Sequence, residues 1–263
     1  MRSNQSDDEN LPLASDQQYT LKNLSLLLLA GILFAAIQLL WSWSLTQTSV
    51  ASSVTILHGL RPLLTTLGGW IVFKNRYDSR FLIGMSVAIL GSILIGINDF
   101  ADSIDKLQGD LLSALSATFS ALELLIMERL LTQFRTDILL FWCCIISSAT
   151  IFIVLTVTNN NLFPVSSQGW GSVIALALLS QVLGQGLITY SLNYLSSGVI
   201  AVTMLLDPII SALLAWVILS ERVSLWSVIS CCIVLIGIYF SLSSKHAVKD
   251  DLVDVINAEP LLD

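Results

Sequence analysis

Charge is scarce in this chain. Of its 263 residues only 12% are Asp, Glu, Lys or Arg, against about 25% in soluble domains. A soluble fold of this composition would lack about half the polar surface it needs in water, which excludes an ordinary globular enzyme. Histidine is scarcer still. There are two, and His246 lies in a polar tail, so metal-assisted chemistry has almost no imidazole to draw on. Cysteine occurs only as two adjacent pairs, Cys143–Cys144 and Cys231–Cys232, each inside an apolar run. Neighbours on a helix point to different faces, so these read as small packing residues and not as a redox or metal site. The 12 Lys and Arg residues form no cluster beyond Lys74, Arg76 and Arg80, which leaves nucleic-acid binding without an electrostatic footprint. No phosphate-cradling Gly-x4-Gly-Lys loop is present, and no Gly-x-Gly-Asp, Gly-x-Ser-x-Gly or His-Glu-x-x-His constellation. ATP-driven chemistry and a membrane hydrolase are therefore disfavoured, and no cofactor is expected.

What the chain does have is apolar length. Hydrophobic residues make up 55% of it and mean hydropathy is +0.81. Continuous apolar runs recur between short polar breaks, most of them near the ~20 residues that span a bilayer as helix. They predict eight transmembrane helices near 24–45, 50–73, 80–98, 110–131, 138–158, 170–193, 197–219 and 224–243. The runs do not alternate, so a strand barrel is excluded. The net charge of -7 sits mostly in the tails: residues 1–23 carry -2 and residues 244–263 carry -3. With eight crossings both tails share a side, and that side holds Arg2, Lys22, Lys74, Arg76, Arg80, Arg129, Arg135, Lys245 and Lys249. The other side holds Lys106 and Arg222. Nine basic residues against two predict that both termini are cytoplasmic, in the plasma (cell inner) membrane.

The chain also repeats itself. Residues 54–97 match 200–243 at a constant offset of 146: Pro62 with Pro208, Leu67 with Leu213, Trp70 with Trp216, Arg76 with Arg222, Ile83 with Ile229 and Gly91 with Gly237. With one inserted residue the match reaches Ser44-Leu45 and Ser191-Leu192, so helices one to three correspond to helices six to eight. Five helices separate equivalent positions, and an odd number reverses direction. This is the inverted repeat that many secondary transporters use for alternating access.

The order of these features resembles the EamA-like family of the drug/metabolite transporter superfamily. The residues that carry the resemblance are Asp207-Pro208, Trp216, the Ser220-Glu221-Arg222 turn and Gly237, with an opening at Gly109-Asp110-Leu111-Leu112-Ser113-Ala114-Leu115. The likeness covers about 24–98 and 109–243. It implies an all-α integral membrane protein organised as a polar tail (1–23), a first repeat (24–98), a linker (99–108), a second repeat (109–243) and an acidic tail (244–263). It also implies two repeats of five helices, whereas this chain shows three plus five. The first turn reads Lys74-Asn75-Arg76, without the glutamate found at Glu221. The expectation is therefore a first repeat lacking two helices, through truncation at the front or reliance on a partner for the missing wall, with homo-oligomerisation as one route.

Several residues could serve a solute. Pro62 and Pro208 lie mid-span, where a proline frees the His58 and Met204 carbonyls and bends the helix. Arg61 and Asp207 are equivalent by the repeat, opposite in charge and near the bilayer centre, where a charge costs at least about 2.5–3.5 kcal/mol and must pair or face water. They either share a central cavity, pairing or binding the two ends of a charged or zwitterionic solute, or form an ion pair that closes the halves. Glu123 is a proton-coupling carboxylate, a neutral acid or the counter-ion of Arg61. His58, one turn before Arg61, would line the cavity. Gln38, Trp41, Gln181, Gln185 and Tyr190 would line the path, or serve as interhelical hydrogen bonds and interface anchors. The stripe Gly84, Ala88 and Gly91 marks close helix packing. The function expected is secondary transport of small organic metabolites such as amino acids. A truncated or non-transporting membrane subunit is the alternative, and a membrane enzyme the third reading.

Overall fold

A computed structural model describes residues 20–48, 50–75, 77–96, 107–158, 164, 166–210, 213 and 225–244. Most of both tails and of the linker, with Arg76, Trp216 and the Ser220-Glu221-Arg222 turn, lie outside the described residues.

The described chain is helical. Five helices are long and apolar enough to cross a membrane: α1 (Leu21–Ser44), α2 (Ser52–Phe73), α4 (Leu107–Leu130), α5 (Thr136–Val157) and α6 (Ser167–Ser191). Between and after them lie α3 (Ser79–Gly96), α7 (Ser197–Thr203, resuming after a turn at 204–205 as far as Ile210) and α8 (Leu225–Leu242). The sequence reading placed these segments to within a few residues, except that the predicted end of α7 at 219 lies outside the described residues. Because the residues are apolar on nearly all sides, helix periodicity carries little information here, and the breaks carry most of it.

Two cores hold the bundle. In one, Leu27 and Ala30 of α1 meet Leu124 and Met127 of α4, Leu139 and Cys143 of α5, and Ile200 of α7. In the other, Phe81, Met85 and Ala88 of α3 meet Val199 and Val202 of α7 and Val234 and Ile238 of α8. Lipid is as apolar as leucine, so close packing and hydroxyl contacts do much of the work of joining helices. Ser44, Ser53 and Ser113 share their hydroxyls among α1, α2 and α4. Close by, Asp110 accepts from Thr48 (2.8 Å) and Ser52 (2.9 Å). All four cysteines are free thiols, and Cys143 packs its sulfur 3.9 Å from Met127.

The glycine stripe is where α3 meets α8. A Cβ on Gly84 would strike Gly237 and Ser241, and one on Gly91 would strike Val234, 2.8 Å from its backbone nitrogen. A Cβ on Gly237 would strike the backbone of Ala88. As α3 advances from Gly84 to Gly91, its contacts on α8 retreat from Ser241 to Val234, so the two helices are antiparallel. Gly91 and Gly237 are 146 residues apart, and so are Ala88 and Val234. Gly91 against Val234 and Gly237 against Ala88 are therefore the same contact seen from each half.

Proline acts differently in its two positions. The helix continues unbroken through Pro62. Before Pro208, the N–H groups of Leu205 and Asp207 bond three residues back, to Val202 and Met204 (3.0 and 3.1 Å). The Met204 carbonyl that proline frees is thus taken up at once by a tighter turn. At the turn between α2 and α3, Tyr77 stacks on Phe81 at 4.7 Å, and burial pushes its phenol above the ordinary range.

Candidate functional site

Midway along the helices, α1, α2, α4, α6 and α7 surround a cavity of about 140 Å³. Its polar lining comes from Gln38 of α1, Arg61 of α2, Ser120 and Glu123 of α4, and Ser180, Gln181 and Gln185 of α6. Met204 of α7 completes it.

Arg61 is the centre of this site. Its Nη1 donates to the Met204 sulfur at 3.1 Å, and its Nε is buried with no partner. A thioether is a weak acceptor, so the strongest donor group in the membrane interior is poorly matched. Glu123, only 4% exposed, opens on the same cavity, and its charge reaches Arg61. Among the described residues no ion pair or hydrogen bond joins the two. The space between a fixed cation and a carboxylate is filled by amides and hydroxyls, which can donate or accept.

Asp207 does not line this cavity. It accepts from His58 Nε2 at 3.2 Å, and its side chain is 57% exposed. The other ring nitrogen, Nδ1, faces the Val54 carbonyl at 2.9 Å. The sequence expectation had Arg61 and Asp207 pairing or sharing a cavity; among the described residues no ion pair joins them and Asp207 lies outside the lining, although its charge reaches Arg61, more strongly than that of Glu123. Residues 58 and 204 are equivalent by the 146-residue offset, as are 61 and 207. The contacts His58–Asp207 and Met204–Arg61 are therefore reciprocal, as in α3 and α8. Asp207 lies three residues, about 4.5 Å, along α7 from the residue that Arg61 touches.

Of the other expected lining residues, Gln38 and Gln185 are in place. Trp41, one turn from Gln38, lies outside the cavity, with its indole N–H buried and unpartnered. Tyr190 is exposed at the other end of α6 and shares a 2.9 Å hydroxyl contact with Tyr194. There it lines a different pocket with Arg135, Asp137 and Asn193. Sequence reasoning missed Ser120, Ser180 and Met204. Ser120 is one turn before Glu123, and Met204 is the repeat equivalent of His58, so both could have been found by spacing. Ser180 could not. Residues Leu176–Gln185 are wound as a π-helix, and one π turn puts Ser180 and Gln185, five apart, on one face.

A sequence model described as the EamA-like transporter family matches residues 9–97 and 107–243. The pseudopaline exporter of Pseudomonas aeruginosa is 22% identical over 196 residues, 74% of this chain and 67% of that protein. An uncharacterized transporter of Haemophilus influenzae is 24% identical over 194 residues, 70% of this chain and 63% of its own length. The chain thus aligns with about two thirds of each. One solved crystal structure superimposes with a TM-score of 0.69 at 15% identity, over 84% of this chain and 77% of the other, which is a likeness of fold.

Proposed function

We propose, since the chain belongs to the EamA-like transporter family, that it is a secondary transporter carrying small organic metabolites, such as amino acids or related solutes, by alternating access. The observation that carries this reading is Arg61: a mid-membrane guanidinium facing a polar cavity, with a sulfur as its one acceptor and a bare Nε. A charge at that depth costs at least about 2.5–3.5 kcal/mol, and a thioether returns little of it. A solute carboxylate would supply the missing acceptor. Glu123 on the opposite wall balances the charge, and would take a solute amine or a coupling proton. At about 30 Å³ per liquid water molecule, the cavity suits a small solute.

Two observations support an inverted repeat of 24–98 and 109–243 behind this cavity. The α3–α8 and α2–α7 contacts are each reciprocal under one offset, and both helix pairs are antiparallel. Such a pair of halves can exchange roles, closing the cavity first on one side and then on the other. In this reading His58–Asp207 and Arg61–Met204 are matching layers on either side of the pseudo-axis. The excess of basic residues on the tail side supports cytoplasmic termini in the plasma (inner) membrane.

Counterflow of a panel of radiolabelled amino acids into vesicles holding the purified chain tests the proposal. Loss of charge-assisted hydrogen bonds worth about 1.5–3 kcal/mol predicts that Arg61→Ala weakens solute affinity about tenfold or more, with partial rescue by Arg61→Lys. Unchanged counterflow in a well-folded Arg61→Ala variant would rule the site out. A second reading, a membrane subunit that does not transport alone, draws on α6, where the membrane-length window is fully unburied and one cavity wall is a single helix. Absence of counterflow for every solute in the panel would favour it.

A further inference from the structure

A second polar pocket lies at the opposite extreme of the molecule from the linker, where α1 begins and α2 and α4 end. It measures about 570 Å³, and Lys22, Asn23, Phe73, Arg129, Thr132 and Gln133 line it. The pocket is separate from the central cavity, and no residue lines both.

Among the described residues its electrostatics are one-sided. Lys22 and Arg129 face it from different helices, and among the described residues neither forms an ion pair with a carboxylate. Helix α1 starts at Leu21, with no acidic residue in its first turn, so the positive end of its dipole is directed here. At the end of α4 the last carbonyls, which could cancel it, are occupied. The Arg129 carbonyl accepts from the Thr132 N–H (3.3 Å) and hydroxyl (2.7 Å), and the Leu130 carbonyl from the N–H groups of Gln133 and Phe134 (both 2.9 Å). Glu128, next in sequence, is turned away: its carboxylate is buried and accepts from the Ser197 N–H at 3.0 Å. The lining thus presents two cations, the amides of Asn23 and Gln133, and an aromatic side, Phe73.

Depth identifies the ligand's source. The pocket sits where the apolar spans end, at the level of an exposed aromatic belt: Trp70, 62% exposed one turn before Phe73, and the Tyr190–Tyr194 pair. Leu21, 84% exposed, flanks it. A ligand held here has its anionic group among the cations and its apolar part against the bundle surface. We propose that this pocket binds the phosphate of an anionic phospholipid headgroup, with Lys22 and Arg129 as the phosphate ligands.

The test is native mass spectrometry of the full chain in detergent, offered phosphatidylglycerol and phosphatidylcholine with identical acyl chains. Wild type should retain phosphatidylglycerol about thirtyfold better, the scale expected of two basic side chains at a membrane surface. The double variant Lys22→Gln/Arg129→Gln should fall to near parity. Arg135→Gln, which removes a guanidinium paired with Asp137 outside the pocket, should keep the preference and so control for net charge. Equal retention of both lipids by wild type, or an unchanged preference in the double variant, overturns the site. Displacement of phosphatidylglycerol by an equimolar amount of inorganic phosphate overturns the lipid as its source.

Discussion

Arg61 has five N–H donors, and among the described residues it finds one acceptor, a sulfur. That imbalance, more than the presence of charge, marks the cavity as a place for a ligand. Asp207, outside the cavity, and Glu123, across it, supply compensating charge, so Arg61 and Glu123 are coupled in stability. Leaving one buried charge without its compensating opposite costs up to the ~3–5 kcal/mol of a broken contact pair, and less for two charges held apart, whereas removing both is milder. Arg61→Met and Glu123→Gln should each lower the unfolding midpoint in detergent, and the double variant should recover part of the loss; strictly additive losses would mean that the charges do not see each other. The sequence made Arg61, Glu123, Gln38 and Gln185 visible because polar residues stand out in apolar runs. For Asp207 the charge was legible and the contacts were not: equivalent residues under an offset need not touch, and here Asp207 faces His58 while Arg61 faces Met204.

Among the described elements, α3 and α8 approach each other backbone to backbone. Gly237 faces the Ala88 backbone, and Gly91 faces Val234, so a side chain there meets main chain that cannot rotate away. Gly237→Val should destabilise the protein by about 1–3 kcal/mol through overpacking. Gly171→Ala, at a position with nothing within 4 Å of the added Cβ, should leave unfolding unchanged; equal effects of the two would contradict the packing described. The stripe of small residues announced this contact, because nothing else explains glycine at helical spacing in an apolar run. The π-wound stretch of α6 had no such signal. Its hydropathy reads like that of its neighbours, and its winding becomes visible only when Ser180 and Gln185 come to one face. The fates of Pro62 and Pro208 were equally hidden, since identical residues at equivalent positions gave one unbroken helix and one tightened turn.

At the scale of the whole molecule, the helical membrane class, the segment order and the offset of 146 were legible, because the scarcity of charge leaves only a few places where the chain can turn. The reciprocal contacts tie that offset to mechanism. If the halves exchange roles, the cavity between Gln38, Arg61, Glu123 and Gln185 must open to each side of the membrane in turn. The most direct test is thiol labelling of Gln38→Cys by a membrane-impermeant methanethiosulfonate, applied to either face of sealed vesicles. The background is the chain with Cys143, Cys144, Cys231 and Cys232 replaced, and Leu178→Cys, exposed on α6 and absent from the cavity lining, serves as the comparison. The account predicts labelling of Gln38→Cys from both faces and of Leu178→Cys from neither. Labelling of Gln38→Cys from one face only, or from neither, would contradict alternating access through this cavity.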